Sequence, residues 1–104
     1  MSEIEKLYIN ANVEKEWRSL PYGDIEEYYP EFTAEKQLEL IKLLSQNCDL
    51  QISHFSKWEF IFYDGKTTLD IENKNFEKTL IKLINAYWEN LTEEEKAKIK
   101  EILK

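Results

Sequence analysis

Leu50-Gln51-Ile52-Ser53-His54-Phe55-Ser56-Lys57-Trp58-Glu59-Phe60-Ile61-Phe62-Tyr63-Asp64-Gly65-Lys66-Thr67-Thr68-Leu69-Asp70-Ile71 decides the fold, because its apolar residues recur every second position. Leu50, Ile52 and His54 alternate with polar neighbours, then Trp58, Phe60 and Phe62, then Thr67, Leu69 and Ile71, which is the period of a half-buried strand. Three strands are therefore expected near 50–54, 57–63 and 66–72. Ile61 and Tyr63 add apolar bulk to the other face of the second strand, which marks it as the central one. Between the second and third strands, Tyr63-Asp64-Gly65-Lys66 predicts an antiparallel hairpin with Asp64-Gly65 as its two central residues, both at positive φ.

Outward from this meander the period becomes helical. Thr33 is a suitable N-cap for a helix near 34–46, with Leu38, Ile41 and Leu44 on one face and Leu40 and Leu43 widening it. Asn75 caps a second helix near 75–90 carrying Phe76, Leu80, Leu83, Ile84 and Tyr87. Thr92-Glu93-Glu94-Glu95 reads as a capping box that opens a third near 93–103. Residues 2 to 18 place Ile4, Leu7, Tyr8, Val13 and Trp17 at helical spacings, predicting one or two short helices interrupted near Asn10-Ala11-Asn12. The sum is an α+β single domain over 1–104, a three-stranded antiparallel meander packed with flanking helices. Its expected core is Trp58, Phe60, Phe62, Leu69, Ile71, Leu38, Ile41, Leu44, Leu80, Leu83 and Ile84.

Composition narrows the function. The 104 residues carry a net charge of -7, and Lys96, Lys98, Lys100 and Lys104 do not share one helical face, so direct binding to DNA or RNA is not expected. No basic leader or apolar run opens the chain and no membrane-length apolar segment follows, which points to the cytoplasm. Cys48 and His54 are the only residues of their kinds, and neither sits in a nucleophile or zinc spacing. No glycine-rich phosphate loop is present. Glu93, Glu94 and Glu95 complement a helix N-terminus rather than mark a catalytic carboxylate pair. Neither an enzyme nor a cofactor is expected.

The charge is unevenly placed. Residues 1 to 49 hold 11 acids and 5 bases, whereas residues 50 to 104 hold 10 and 9. Asp24, Glu26, Glu27, Glu31 and Glu35 crowd a twelve-residue stretch that has no base and three aromatics, Tyr28, Tyr29 and Phe32. Acids steer a basic partner and aromatics supply rigid contact area, so Asp24, Glu26, Glu27, Tyr28, Tyr29, Glu31 and Glu35 form a candidate partner-binding surface. The other reading is that the aromatics close the core and the carboxylates are its solvated rim.

Tyr29-Pro30-Glu31-Phe32-Thr33-Ala34-Glu35-Lys36-Gln37-Leu38-Glu39-Leu40-Ile41-Lys42 resembles the YP-x-FTAEKQ-x-x-LIK opening of a family of small bacteriophage and prophage proteins. Trp88-Glu89-Asn90-Leu91-Thr92-Glu93-Glu94-Glu95-Lys96 is similar to that family's W-x-x-LTEEE-K junction, and Ile4-Glu5-Lys6-Leu7-Tyr8 also fits. The resemblance implies a phage or prophage origin, which brings anti-defence and host-takeover proteins, including anti-CRISPR proteins, among the candidates; it implies no catalytic residue. The leading expectation is a protein that binds and blocks a basic, nucleic-acid-handling protein of a bacterial host, such as a CRISPR effector, its carboxylates standing in for phosphates. The alternatives are an immunity or antitoxin-like protein that neutralises a cognate toxin, a metal-dependent hydrolase, and a non-inhibitory oligomeric phage accessory protein.

Overall fold

Alternation of Trp58, Phe60 and Phe62 against Glu59, Ile61 and Tyr63 sends the two sets to opposite faces of a central strand, and the computed structural model, which describes residues 1–104, places them so. That strand is β4 of ten elements in chain order: helix α1 (Glu3–Asn10), strands β1 (Glu16–Ser19) and β2 (Ile25–Tyr28), helix α2 (Ala34–Ser45), strands β3 (Asp49–Phe55), β4 (Lys57–Tyr63) and β5 (Thr68–Asn73), helix α3 (Phe76–Tyr87), a 3₁₀ turn (Trp88–Asn90) and helix α4 (Glu93–Leu103). β3, β4 and β5 form the expected antiparallel meander with β4 in the middle. The fold is α+β.

The β4–β5 turn lies one residue later than expected. Asp64 pairs with Thr67, its N–H donating to the Thr67 carbonyl at 3.3 Å, so Gly65 and Lys66 are the central residues. Only Gly65 has positive φ, at 98°. The shift follows from the Asp64 side chain, whose Oδ1 accepts the N–H groups of Lys66 at 2.8 Å and Thr67 at 2.6 Å and closes a Gly-X turn beneath itself.

Leu50, Ile52 and His54 of β3, Trp58, Phe60 and Phe62 of β4, and Leu69 and Ile71 of β5 share the inner face by register. α3 packs across β4 and β5, edge-on contacts joining Phe76 to Trp58 and Phe60, and Tyr87 to Phe62. Phe60, Phe62, Leu44, Leu80, Leu83 and Ile84 are buried as expected, and Trp58, Leu69, Ile71 and Ile41 pack half-buried around them.

Leu38 is the correction, being 58% exposed. On α2 the buried residues are Leu40, Leu43 and Leu44, and at about 100° per residue Leu38 lies about 200° from Leu40, on the opposite side. α2 is turned this way because it packs on α4, whose Ile99 and Leu103 are buried, and because Lys36 Nζ donates to the Leu103 carbonyl at 3.0 Å.

α1 brings Leu7 and Tyr8 into the core, with Ala11 and Val13 beyond it, and docks on α3. Asn85 secures that contact by donating to both the carbonyl and the carboxylate of Glu3 at 2.9 Å. Asn12, at φ 58°, ends the helical path where the interruption is expected. Helix caps form at Thr33, Asn75 and Thr92, each side chain accepting an N–H three residues on, and Thr92 with Glu95 completes a capping box. Thr92→Ala is expected to cost about 1 kcal/mol in a urea melt.

Candidate functional site

The second short helix expected within residues 2 to 18 does not form, and β1 and β2 make a hairpin arm in its place. Trp17 stands four positions after Val13, as a helix would want, but only Val13 is buried and Trp17 is 67% exposed. Turn chemistry decides instead. In Leu20-Pro21-Tyr22-Gly23, proline pre-sets the second position, the Gly23 N–H closes on the Leu20 carbonyl at 3.0 Å, and Gly23 takes φ 90°. Leu20 N–H then donates to the Asp24 carbonyl at 2.8 Å, giving a three-residue hairpin loop that folds β2 back on β1.

Register Glu16–Tyr28, Trp17–Glu27, Arg18–Glu26 and Ser19–Ile25 sorts the arm into two faces. One carries Trp17, Ser19, Ile25 and Glu27. The other carries Glu16, Arg18, Glu26 and Tyr28 and is tied together internally: Arg18 Nε and an Nη both reach Glu26 Oε2 at 2.7 Å, and the guanidinium lies 5.6 Å from the Tyr28 ring centre. The first face has no such closure. Ile25 is 67% exposed, and Tyr22 at the tip 76%.

A lone two-stranded hairpin is marginal in water, so its base matters. Tyr29 stacks on Tyr8 with ring centres 4.7 Å apart, Lys15 Nζ sits 5.2 Å from the centre of the same ring, and Tyr8 Oη donates to the Pro30 carbonyl at 2.6 Å. Burial pushes the Tyr8 hydroxyl up to about 12, the Glu77 charge adding to it. The molecule, arm included, measures 52 Å by 34 Å by 23 Å, with a radius of gyration of 15.2 Å against about 13 Å for an ordinary domain of this length.

The seven partner-binding candidates thus fall into three groups. Asp24, Glu26, Glu27 and Tyr28 lie on the arm, with Glu26 already paired to Arg18. Tyr29 is built into the base, and Phe32 packs half-buried on the core. Glu31 is exposed in the segment leading to α2, and Glu35 stands in the first turn of α2. Trp17, Tyr22 and Ile25 are not among the seven candidates, yet they are the exposed apolar residues of the arm; the signal for them in the sequence is Pro21-Tyr22-Gly23 flanked by Trp17 and Ile25.

A second carboxylate group lies on the outer face of the main sheet. Glu59 faces Glu72 across the strands, and with Asp70 their carboxylate oxygens lie within 4.8 Å of one another. A hydrogen bond shared with Asp70 holds the Glu59 carboxyl above its ordinary value, with desolvation and the Asp70 and Glu72 charges adding to it. Strand alternation, which sends Leu69 and Ile71 inward, already places Asp70 and Glu72 together outside. The His54 ring lies tilted against Trp58, their centres 4.5 Å apart, and burial pushes the Cys48 thiol up, with Asp64, Glu95 and Asp49 adding to it. This is the reverse of nucleophile activation.

Asp64 also accepts the Tyr87 hydroxyl, which, with the Thr67 and Lys66 N–H groups, lowers its carboxyl to about 2. Burial, followed by this bond, raises Tyr87 above its usual 10.0. A lowered acid stabilises above its unfolded value of 3.8 and loses that contribution as pH falls toward about 2; a raised tyrosine stabilises below 10.0 and loses it as pH climbs beyond. The stability gap between the wild type and Tyr87→Phe should therefore be widest between these limits and narrow at both ends. Denaturant melts across pH check this, and a gap independent of pH would contradict it.

No helix is long and apolar enough to cross a membrane. No known protein family, curated protein or solved structure matches the chain.

Proposed function

We propose that this protein is a binding module that uses the β1–β2 arm to occupy and block a basic, nucleic-acid-handling protein. The carrying observation is the arm itself: Trp17, Tyr22 and Ile25 are each more than 60% exposed on a hairpin whose other face is tied by Arg18, Glu26 and Tyr28. Aromatic side chains are the residues that anchor interfaces. From Glu14 to Glu31 the surrounding charge is six acids against Lys15 and Arg18, a field that steers basic surfaces and repels nucleic acid. Glu27 and Asp24 stand beside the apolar anchors, where carboxylates would take the place of phosphates in a cationic groove. With the resemblance of residues 29–42 and 88–96 to phage and prophage proteins, the concrete form of this reading is an anti-defence inhibitor such as an anti-CRISPR protein.

The test is a paired capture from bacterial lysate, with the wild type and Trp17→Ala/Glu27→Lys as baits, followed by competition with the captured protein's own nucleic acid. Loss of a basic partner from the variant, and its displacement from the wild type by nucleic acid, is the expected result. A partner held equally by both baits, or one that binds nucleic acid and this protein together, overturns the proposal. A captured toxin without nucleic-acid competition would identify an immunity protein instead.

A further inference from the structure

A surface distant in sequence from the arm carries a separate inference. β3 is an edge of the main sheet, hydrogen-bonded only to β4. Exposed edges are templates for pairing, and proteins blunt them with lysine, proline, bulges or covering elements. β3 lacks the first three: Asp49-Leu50-Gln51-Ile52-Ser53-His54-Phe55 contains no lysine, arginine or proline, and its pairing with β4 runs unbroken over all seven residues. Its inner face is only partly closed: α2 touches β3 and Leu50 is half-buried, but α3 packs on β4 and β5 and leaves Ile52 38% exposed, while on the outer face Phe55 is 93% exposed. The opposite edge, β5, is protected by Asp70 and Glu72.

We infer that β3 pairs with β3 of a second copy of this chain, antiparallel about a two-fold axis through Ile52, giving one continuous six-stranded sheet. The occupant follows from the sequence of the edge. Centred on Ile52, the register sets Ile52 against Ile52, Gln51 against Ser53, Leu50 against His54 and Asp49 against Phe55. Every pair keeps both members on the same face, and no like charges oppose each other. A centre at Leu50 would drop the Phe55 pair beyond the strand end. The edge holds a single acid in a chain of net charge -7, so two copies can approach along it without setting like charges face to face. A seven-residue edge buries less than the roughly 1,200 Å² of a standard interface, which makes the dimer weak and concentration-dependent.

This association and the arm's binding respond oppositely to salt, so the two readings fail independently. Screening relieves repulsion between two acidic copies but weakens attraction to a basic partner. In sedimentation runs from about 5 µM to about 500 µM, the mass should rise from 12.6 kDa toward twice that, at lower concentration in about 0.3 M salt than in about 0.02 M. Ile52→Lys, which sets like charges face to face, should hold the chain at the single-copy mass with its circular dichroism unchanged. Register is tested in a Cys48→Ser background. Ile52→Cys should cross-link to itself under mild oxidation, because antiparallel partners have Cα atoms about 4.5–5.5 Å apart, within disulfide reach. His54→Cys, offset from its own copy by four residues or about 14 Å, should not. A single-copy mass at every concentration and salt overturns the inference, as does a dimer that Ile52→Lys leaves intact or equal cross-linking at both positions.

Discussion

Phe60→Ala should lower stability by about 3–5 kcal/mol, a large part of the roughly 5–15 kcal/mol that holds a domain folded. Phe60 is fully buried on the central strand, opposite Ile52 and Ile71, with its ring 5.2 Å from that of Phe76 on α3. Alanine there removes the ring's transfer energy and leaves a cavity that two strands and a helix hold open. Leu38→Ala supplies the contrast. Its side chain is exposed on α2, and the change should fall within about 0.5 kcal/mol. Urea melts of both variants check the pair, and a small loss at Phe60 would contradict the packing of α3 on the sheet.

Stability and binding should separate in the arm. Trp17→Ala/Glu27→Lys/Glu31→Lys changes only exposed residues, so each site should shift stability by about 0.5 kcal/mol or less. Affinity for the captured partner should fall by about 30-fold or more, the effect of losing one aromatic anchor worth about 2 kcal/mol. Glu26 stays in place because its carboxylate holds Arg18 at 2.7 Å; lysine there would oppose like charges across the hairpin and confound folding with binding. Titration calorimetry at two ionic strengths reads the outcome, and wild-type affinity indifferent to salt would remove the phosphate-mimic role of the carboxylates.

Tyr29 shows where the candidate surface was and was not legible. Its position beside Tyr28 in an acidic run gives both residues the same sequence context, yet one ring is stacked on Tyr8 under Lys15 and the other lies exposed against Arg18. The reading in which the aromatics close the core therefore holds for Tyr29 and Phe32, which pack on the body, while Asp24, Glu27 and Glu31 are solvated and Tyr28 stays exposed on the arm.

The sequence by itself determined what interactions within three or four residues decide. The two-residue alternation of Trp58, Phe60 and Phe62 specified a strand, and the side chains of Thr33, Asn75 and Thr92 capped their helices through N–H groups three residues away. Even the Asp64 turn is local, displaced one residue by its own carboxylate. Only the tertiary structure decided which apolar residues face inward. Leu38 and Leu40 are equally apolar, but the body of the protein meets one side of α2, so that Leu40 is buried and Leu38 faces solvent. α1 found its place through Asn85, 82 residues from Glu3. Trp17 matched a helical spacing yet became an exposed strand residue, because burial depends on which element comes to cover a face, and no element covers that side of the arm.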